Sequence, residues 1–314
     1  MCNFAEKLER IVENEVKKGM KKFLWPTLVC ILLTFSCTGK RTNTDQEEPA
    51  DTVADSSLVV IEDTLEQLIT ETPMPRAADA YFDDFVFNFA ANKRLQFERI
   101  IFPLRVTTVD GKTTMTEKSQ WQMEHLFMRQ GYYTLLFDDD EQMSHMKDTA
   151  ITEAVVEKIV LKKNKVKNYF FHRVRGAWMM YEIRETPIEE NANSSFLSFY
   201  KRFTSDSIFQ VKSINETVQF TGPDPDDEFA VMEGVITPDT WEAFAPQLPG
   251  KVLYNIVYGK PEAEGNKKIF LMRGVANGLE LELRFKKVGG RWLLTKMTTL
   301  ISLDNEDRRL KIED

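Results

Sequence analysis

Apolar and charged positions alternate near the end of the chain, where Leu279, Leu281, Leu283 and Phe285 are interleaved with Glu280, Glu282, Arg284 and Lys286. A period of two predicts a strand with one buried and one wet face. Gly289-Gly290 then offers the positive φ angles of a short hairpin, and Trp292 opens the return strand. The same punctuation occurs earlier: "RVRGAWMM" at 173–180 nearly repeats "KVGGRWLL" at 287–294. Further upstream the rhythm becomes helical. Phe82, Phe85 and Phe89 follow an i, i+3, i+7 spacing, and so do Phe196, Phe199 and Phe203. "IIFPLRVTTVDGKTTM" from Ile100 reads as an extended segment around an Asp-Gly turn, and "YYTLLF" (132–137) and "KVLYNIVYG" (251–259) read as strands. "TPDTWEAF" predicts a short helix with Thr237 as N-cap and Pro238 in its first turn.

These elements recur at a fixed distance. Val174 and Val288, Gly176 and Gly290, and Trp178 and Trp292 are each 114 residues apart. So are the two phenylalanine triplets, and Ile100 and Ile214. Trp121 matches Trp241 at an offset of 120, so about six residues enter the second copy and leave again. Two copies of one fold are expected, over 79–190 and 191–303, each of ordinary domain size.

Each copy is predicted to run helix, extended segment, short helix and antiparallel sheet closed by a hairpin. That order, ending in "VRGAWMM" or "VGGRWLL", resembles the nuclear-transport-factor-2-like fold, with a cystatin-like lineage as the nearest rival. The resemblance implies an α+β protein of two tandem cone-shaped domains, each a curved antiparallel sheet wrapped around N-terminal helices. Trp178, Trp292, Trp241, Tyr181 and Tyr254 are the candidate pocket or core residues. The two hairpin tryptophans are expected to pack on the first helix of their own copy. Some enzymes of this fold, ketosteroid isomerases among them, hold an acid or base inside an apolar cone, where burial raises a carboxyl pKa. The corresponding candidates here are Asp83, Asp84, His125, Tyr181, Tyr254 and Tyr258. No pair of them has a spacing that a mechanism demands, so no catalytic residue is assigned.

The start of the chain suggests an address. Lys21 and Lys22 precede an apolar run from Phe23 to Phe35. Thirteen helical residues span about 20 Å, short of the roughly 30 Å hydrocarbon core. Residues 20–36 therefore read as a signal peptide. Ser36-Cys37 resembles the lipobox of bacterial lipoproteins, making Cys37 the expected lipidation site. Residues 1–19 read as an over-extended start, 37–78 as a disordered acidic tether and 304–314 as a charged tail. Within the tether, "LVVIEDTLEQLI" (58–69) is apolar enough either to dock on the first domain or to remain a transiently helical linker.

From Cys37 onward the chain carries 35 basic and 45 acidic residues, a net charge of −10. This balance argues against nucleic acid as a partner. The locally basic "KIVLKKNKVKNYFFHRVR" is accounted for by alternating strand charges. His125, His145 and His172 lack metal-ligand spacing, and Cys37 alone remains in the mature chain, so neither metal nor disulfide is expected. The acidic runs "DDDE" (138–141) and "DPDDE" (224–228) lack the pattern of a calcium loop and read as solvated turns. No cofactor fingerprint occurs.

The whole chain is similar to lipoproteins of Bacteroides-type bacteria grouped under domain of unknown function 4348. In that phylum acidic residues directly after the lipid-bearing cysteine direct export to the cell surface. "TGKR" stands there instead, so the resemblance implies an outer-membrane lipoprotein facing the periplasm. The expected role is non-catalytic: binding a small molecule or an envelope protein, or scaffolding, with membrane contact through the lipid only. The alternative is an acid–base enzyme acting on a small apolar substrate in a cone pocket.

Overall fold

The phenylalanine rhythm and the hairpin signals both become structure. A computed structural model describes residues 79–224, 227–275 and 278–299, which form one compact unit. Cys37, the signal segment, the tether with its 58–69 stretch and the tail lie outside these residues. In the first copy, helices α1 (Phe82–Ala91) and α2 (Lys93–Arg99) lead into strands β1 (Ile100–Thr107), β2 (Thr113–Thr116) and β3 (Tyr132–Phe137). Helix α3 (Asp140–Ser144) and strands β4 (Glu153–Val160), β5 (Lys165–Val174) and β6 (Ala177–Pro187) follow. The second copy repeats the order with α4 (Ser194–Phe203), α5 (Ser207–Lys212), β7 (Ile214–Asp224) and β8 (Asp227–Ile236). It ends with α6 (Trp241–Phe244), β9 (Val252–Tyr258), β10 (Lys267–Gly274), β11 (Glu280–Val288) and β12 (Arg291–Thr299). Helix α6 begins later than its sequence suggests. Thr240, not Thr237, takes the N-cap position, because the Thr237 carbonyl accepts the Thr240 N–H in a turn that precedes the helix.

The repeat is visible in matching interactions. Both hairpins turn on two residues of positive φ, Arg175-Gly176 and Gly289-Gly290, the geometry that suits a right-twisted two-residue loop. Both β5/β6 and β11/β12 carry a register shift, beside Phe171 and Phe285 respectively. Asn92 caps α2 through the Leu95 N–H, and Asp206, 114 residues on, caps α5 through the Phe209 N–H. Gln96 accepts from the Trp121 indole (3.2 Å), and Gln210 accepts from the Trp241 indole (3.0 Å).

Two six-stranded sheets result, ordered β2-β1-β6-β5-β4-β9 and β3-β10-β11-β12-β7-β8. They are mixed rather than wholly antiparallel, since β1 runs parallel to β6 and β7 parallel to β12. The chain between β1 and β6, and between β7 and β12, contains several strands and is long enough for the crossover that a parallel pair needs. Each sheet also takes one edge strand from the other copy. β9 pairs with β4, and β3 pairs with β10. Both faces of β3 are covered, and all six of its residues are buried. This explains why "YYTLLF" shows no polar alternation.

Each cone is filled by its own aromatics. In the first, Phe82 packs edge-on to Trp178 (4.9 Å between ring centres) and to Phe171 (5.3 Å), and Phe89, about two turns further along α1, meets Phe171 as well. In the second, Phe196 meets Trp292 (5.4 Å) and Phe285 (5.3 Å), with Phe203 beside Phe285. Burying one such ring contributes about 1.5–3 kcal/mol. The triplets therefore anchor α1 and α4 in their sheets.

Candidate functional site

The tryptophans and tyrosines singled out in the sequence separate into two groups. Trp178, Trp241, Trp292 and Tyr254 are buried. Tyr181 is only half-buried and stacks on His172 at 4.6 Å, on the sheet face opposite Trp178. Trp178 and Trp292 lie against the first helix of their own copies, as their hairpin positions imply. Their polar ends differ. The Trp292 indole donates to Ser195 Oγ (3.3 Å), whereas the Trp178 indole N–H is buried without an acceptor beneath the Arg173 guanidinium.

The first cone contains a polar cluster. Gln96, fully buried in the middle of α2, binds the Glu124 backbone through both its side-chain N–H and its side-chain carbonyl, pinning residues 121–124. The Glu124 carboxylate pairs with the Lys167 ammonium, each side chain about a quarter exposed. Lys167 lies 5.0 Å over the Tyr169 ring, and the buried Tyr169 hydroxyl faces the Glu124 carboxylate. Burial and the nearby Glu124 and Tyr254 hold that phenol well above its usual pKa, so it stays protonated. Tyr254, brought in on the exchanged strand β9, is also raised by burial and by Glu124.

Among the described residues the second cone has no such cluster. By the same offsets, Phe244, Leu281 and Leu283 stand where the first copy has Glu124, Lys167 and Tyr169, and all three are buried. Thr134 stands where the first copy has Tyr254. Apolar packing therefore suffices to close this fold.

A second pair unites two residues that sequence spacing kept apart. The Tyr258 hydroxyl, on β9, donates to Asp83 Oδ1 on α1 at 2.5 Å. Burial raises the Asp83 carboxyl to about 6, against the lowering effect of the Tyr258 bond and the Arg273 charge. Asp83 is thus part of the packing rather than a free helix-surface charge, while its neighbour Asp84 is exposed. His125 joins neither the clustered side chains nor this pair; its carbonyl accepts the Met128 N–H in a turn.

Between the copies lies a third polar group, which sequence reasoning missed. Asn255 on β9 accepts the Leu136 N–H (2.8 Å) and donates to Glu157 (2.8 Å), which Asn191 also binds (2.7 Å). Burial raises the Glu157 carboxyl, and these amide bonds oppose the rise. Lys268, buried on β10, pairs with Asp138 and with Asn193 Oδ1. The acidic run at 138–141 is therefore largely structural. Asp138 binds Lys268, Asp139 caps α3 and Asp140 binds Arg284. A recess lined by Asp138, Gln142, Asn193, Asn255, Tyr258 and Glu262 has a volume of about 30 Å³. Such a space admits water but falls far below the roughly 300 Å³ and more of organic-ligand pockets.

The basic stretch is likewise engaged internally. Lys165 pairs with Glu185, Lys167 with Glu124, and Arg173 donates to the Asp79 and Ala80 carbonyls. Among the described residues no group of three or more His, Cys, Asp or Glu side chains is placed to hold a metal, and no helix is long and apolar enough to cross a membrane.

Comparison with known proteins adds the following. The family described as Domain of unknown function (DUF4348) matches residues 61–299. The crystal structure of an NTF2-like protein from Bacteroides fragilis NCTC 9343, at 2.15 Å resolution, matches with a TM-score of 0.64 and 39% sequence identity. The match covers 72% of this chain and 99% of that one. No curated protein matches.

Proposed function

This chain belongs to the DUF4348 family and has an NTF2-like fold, and from that premise we propose a lipid-anchored cell-envelope protein whose folded part binds or scaffolds rather than catalyses. The supporting observation is the packing of the cones: Phe82, Phe171 and Trp178 fill one, and Phe196, Phe285 and Trp292 the other. A substrate would have to displace these rings. The Ser36-Cys37 junction after an apolar run of thirteen residues supports the anchor, and the "TGKR" that follows supports a periplasmic orientation on the outer membrane. The partner is then a small molecule or another envelope protein, with no role for nucleic acid.

The anchor is tested by mass spectrometry of the protein extracted from membranes. An acylated N-terminal peptide beginning at Cys37 is expected, and Cys37→Ala should no longer partition into detergent. Unchanged partitioning removes the anchor from this proposal. Protease treatment of intact cells tests the orientation, since a periplasm-facing protein survives it.

One observation favours the acid–base alternative. Asp83, with its carboxyl near 6 and bonded to the buried Tyr258, forms a partly buried titratable pair at the edge of an apolar core. Turnover of a small apolar ketone that is lost in Asp83→Asn would establish that reading instead.

A further inference from the structure

The two copies finish their free sheet edges differently. The first edge hairpin, β1/β2, runs from Ile100 to Thr116, and its counterpart β7/β8 runs from Ile214 to Ile236, so the six residues added to the second copy fall here. They lengthen the edge: β2 has four residues, whereas β8 has ten. Among the described residues β8 is the last strand of its sheet, paired with β7 on one side only. That pairing is regular from Val231 to Ile236. Every second residue of such a strand turns its backbone N–H and C=O away from its neighbour, ready for another strand.

Proteins guard their edges by keeping them short or by placing lysine or proline on them. The first copy keeps its edge short. β8 is long and carries neither lysine nor proline. Its outer face presents Val231 (61% exposed), Glu233 and Val235 (45% exposed), while Met232 and Ile236 are buried on the other. The charge is one-sided as well. Residues 214–236 carry six acidic side chains and no basic one, and no lysine, arginine or histidine occurs between Lys212 and Lys251. The first hairpin, by contrast, sets Arg105 and Lys112 against Asp110. Lys296 shares a row with Val235 but stands two strands inward on β12, about 10 Å away.

From this asymmetry we infer that β8 is a docking edge for an extended segment of another protein, which adds a strand to the sheet and alternates apolar with basic residues. This deepens the binding reading proposed above and rests on it. Backbone hydrogen bonds supply the affinity, and the row of Val231, Glu233 and Val235 supplies the selection. On that face the incoming strand sets an apolar side chain beside each valine and a lysine or arginine beside Glu233. The acidic run at 224–228 attracts the same segment from a distance. A second copy of this chain is the poorer occupant, because its own β8 brings only acidic charge.

NMR of the isotope-labelled chain tests the edge with two capped heptapeptides: Thr-Val-Thr-Lys-Thr-Val-Thr, and the same sequence with glutamate in place of lysine. The lysine peptide should shift the β8 amides and slow their hydrogen exchange. It should bind about fivefold tighter than the glutamate peptide, with the difference shrinking at high salt. Glu233→Lys, an exposed change, should reverse the preference. Binding that leaves the β8 amides unmoved, or no binding of either peptide, would remove this edge and leave the general binding reading standing; that reading falls instead to the turnover test at Asp83. Equal affinity for the two peptides, or an unaltered preference in Glu233→Lys, would overturn the assigned chemistry. A dimer in sedimentation that protects the β8 amides without any peptide would give the edge to a second copy and overturn the assigned partner.

Discussion

Thr134 and Tyr254 occupy the same position in the two copies, 120 residues apart, and they touch. The Thr134 hydroxyl donates to the Tyr254 carbonyl (2.5 Å) and accepts the Tyr254 N–H (3.1 Å). Equivalent strands of the two copies cross here, each bonded into the other copy's sheet. The exchange makes each sheet depend on the other copy for an edge, and this changes what a mutation in one cone should do.

Trp178→Ala and Trp292→Ala should each cost about 3–5 kcal/mol through the cavity left behind. Because β3 and β9 are exchanged, both variants should melt in one lowered transition, rather than one copy melting alone. Differential scanning calorimetry distinguishes the outcomes. Two separated transitions would show that the exchanged strands do not couple the copies.

The Asn255 bridge should behave as a network. Asn255→Leu strands both the Leu136 N–H and one oxygen of Glu157, each worth about 1–3 kcal/mol when buried unpaired. Adding Glu157→Leu, which copies the leucine at the equivalent position 271, should recover part of the loss. Chemical denaturation of the two single variants and the double variant gives the coupling. Strict additivity would show that the bond between them contributes nothing.

Asp83 predicts a pH dependence with a definite sign. Its carboxyl moves from 3.8 in the unfolded chain to about 6 in the fold, so the folded protein holds the proton more tightly. Its contribution is complete below about pH 4 and is lost as pH rises through 6. The groups facing it are Tyr258, Arg273, Asp84 and Tyr133. Asp83→Asn should therefore be more stable than wild type at pH 7, with the gap closing toward pH 4. Melting curves across pH 4–8 check this, and a gap that does not vary with pH would refute the assignment.

Tyr81 stands where the second copy has Ser195, the acceptor for the Trp292 indole. It is exposed and makes no cap bond at the N-terminus of α1. Tyr81→Ser should give Trp178 the missing acceptor and α1 a better N-cap, raising stability by about 1 kcal/mol. Ser195→Ala should lower stability by a similar amount. A fall in melting temperature for Tyr81→Ser would show that the two indoles are not held alike.

Some of this architecture is local, and local physics is written in neighbouring residues. The alternation of Leu279 to Phe285, the Gly289-Gly290 turn and the spacing of Phe82, Phe85 and Phe89 fix strand, hairpin and helix, because each depends on contacts within a few positions. The 114-residue offset fixes the repeat for the same reason. The sequence also carries the acidic balance and the Cys37 signal on which the proposed address rests. Tertiary structure alone decided the strand exchange, since "YYTLLF" is equally apolar whichever sheet it joins. It alone paired Asp83 with Tyr258, 175 residues away, and set Asn255 against Glu157. Tyr254 was legible as a core or pocket residue, but the cluster of Glu124, Lys167 and Tyr169 was not. Those residues lie in separate elements, and their polarity gains meaning only when the fold places them where Phe244, Leu281 and Leu283 close the other cone.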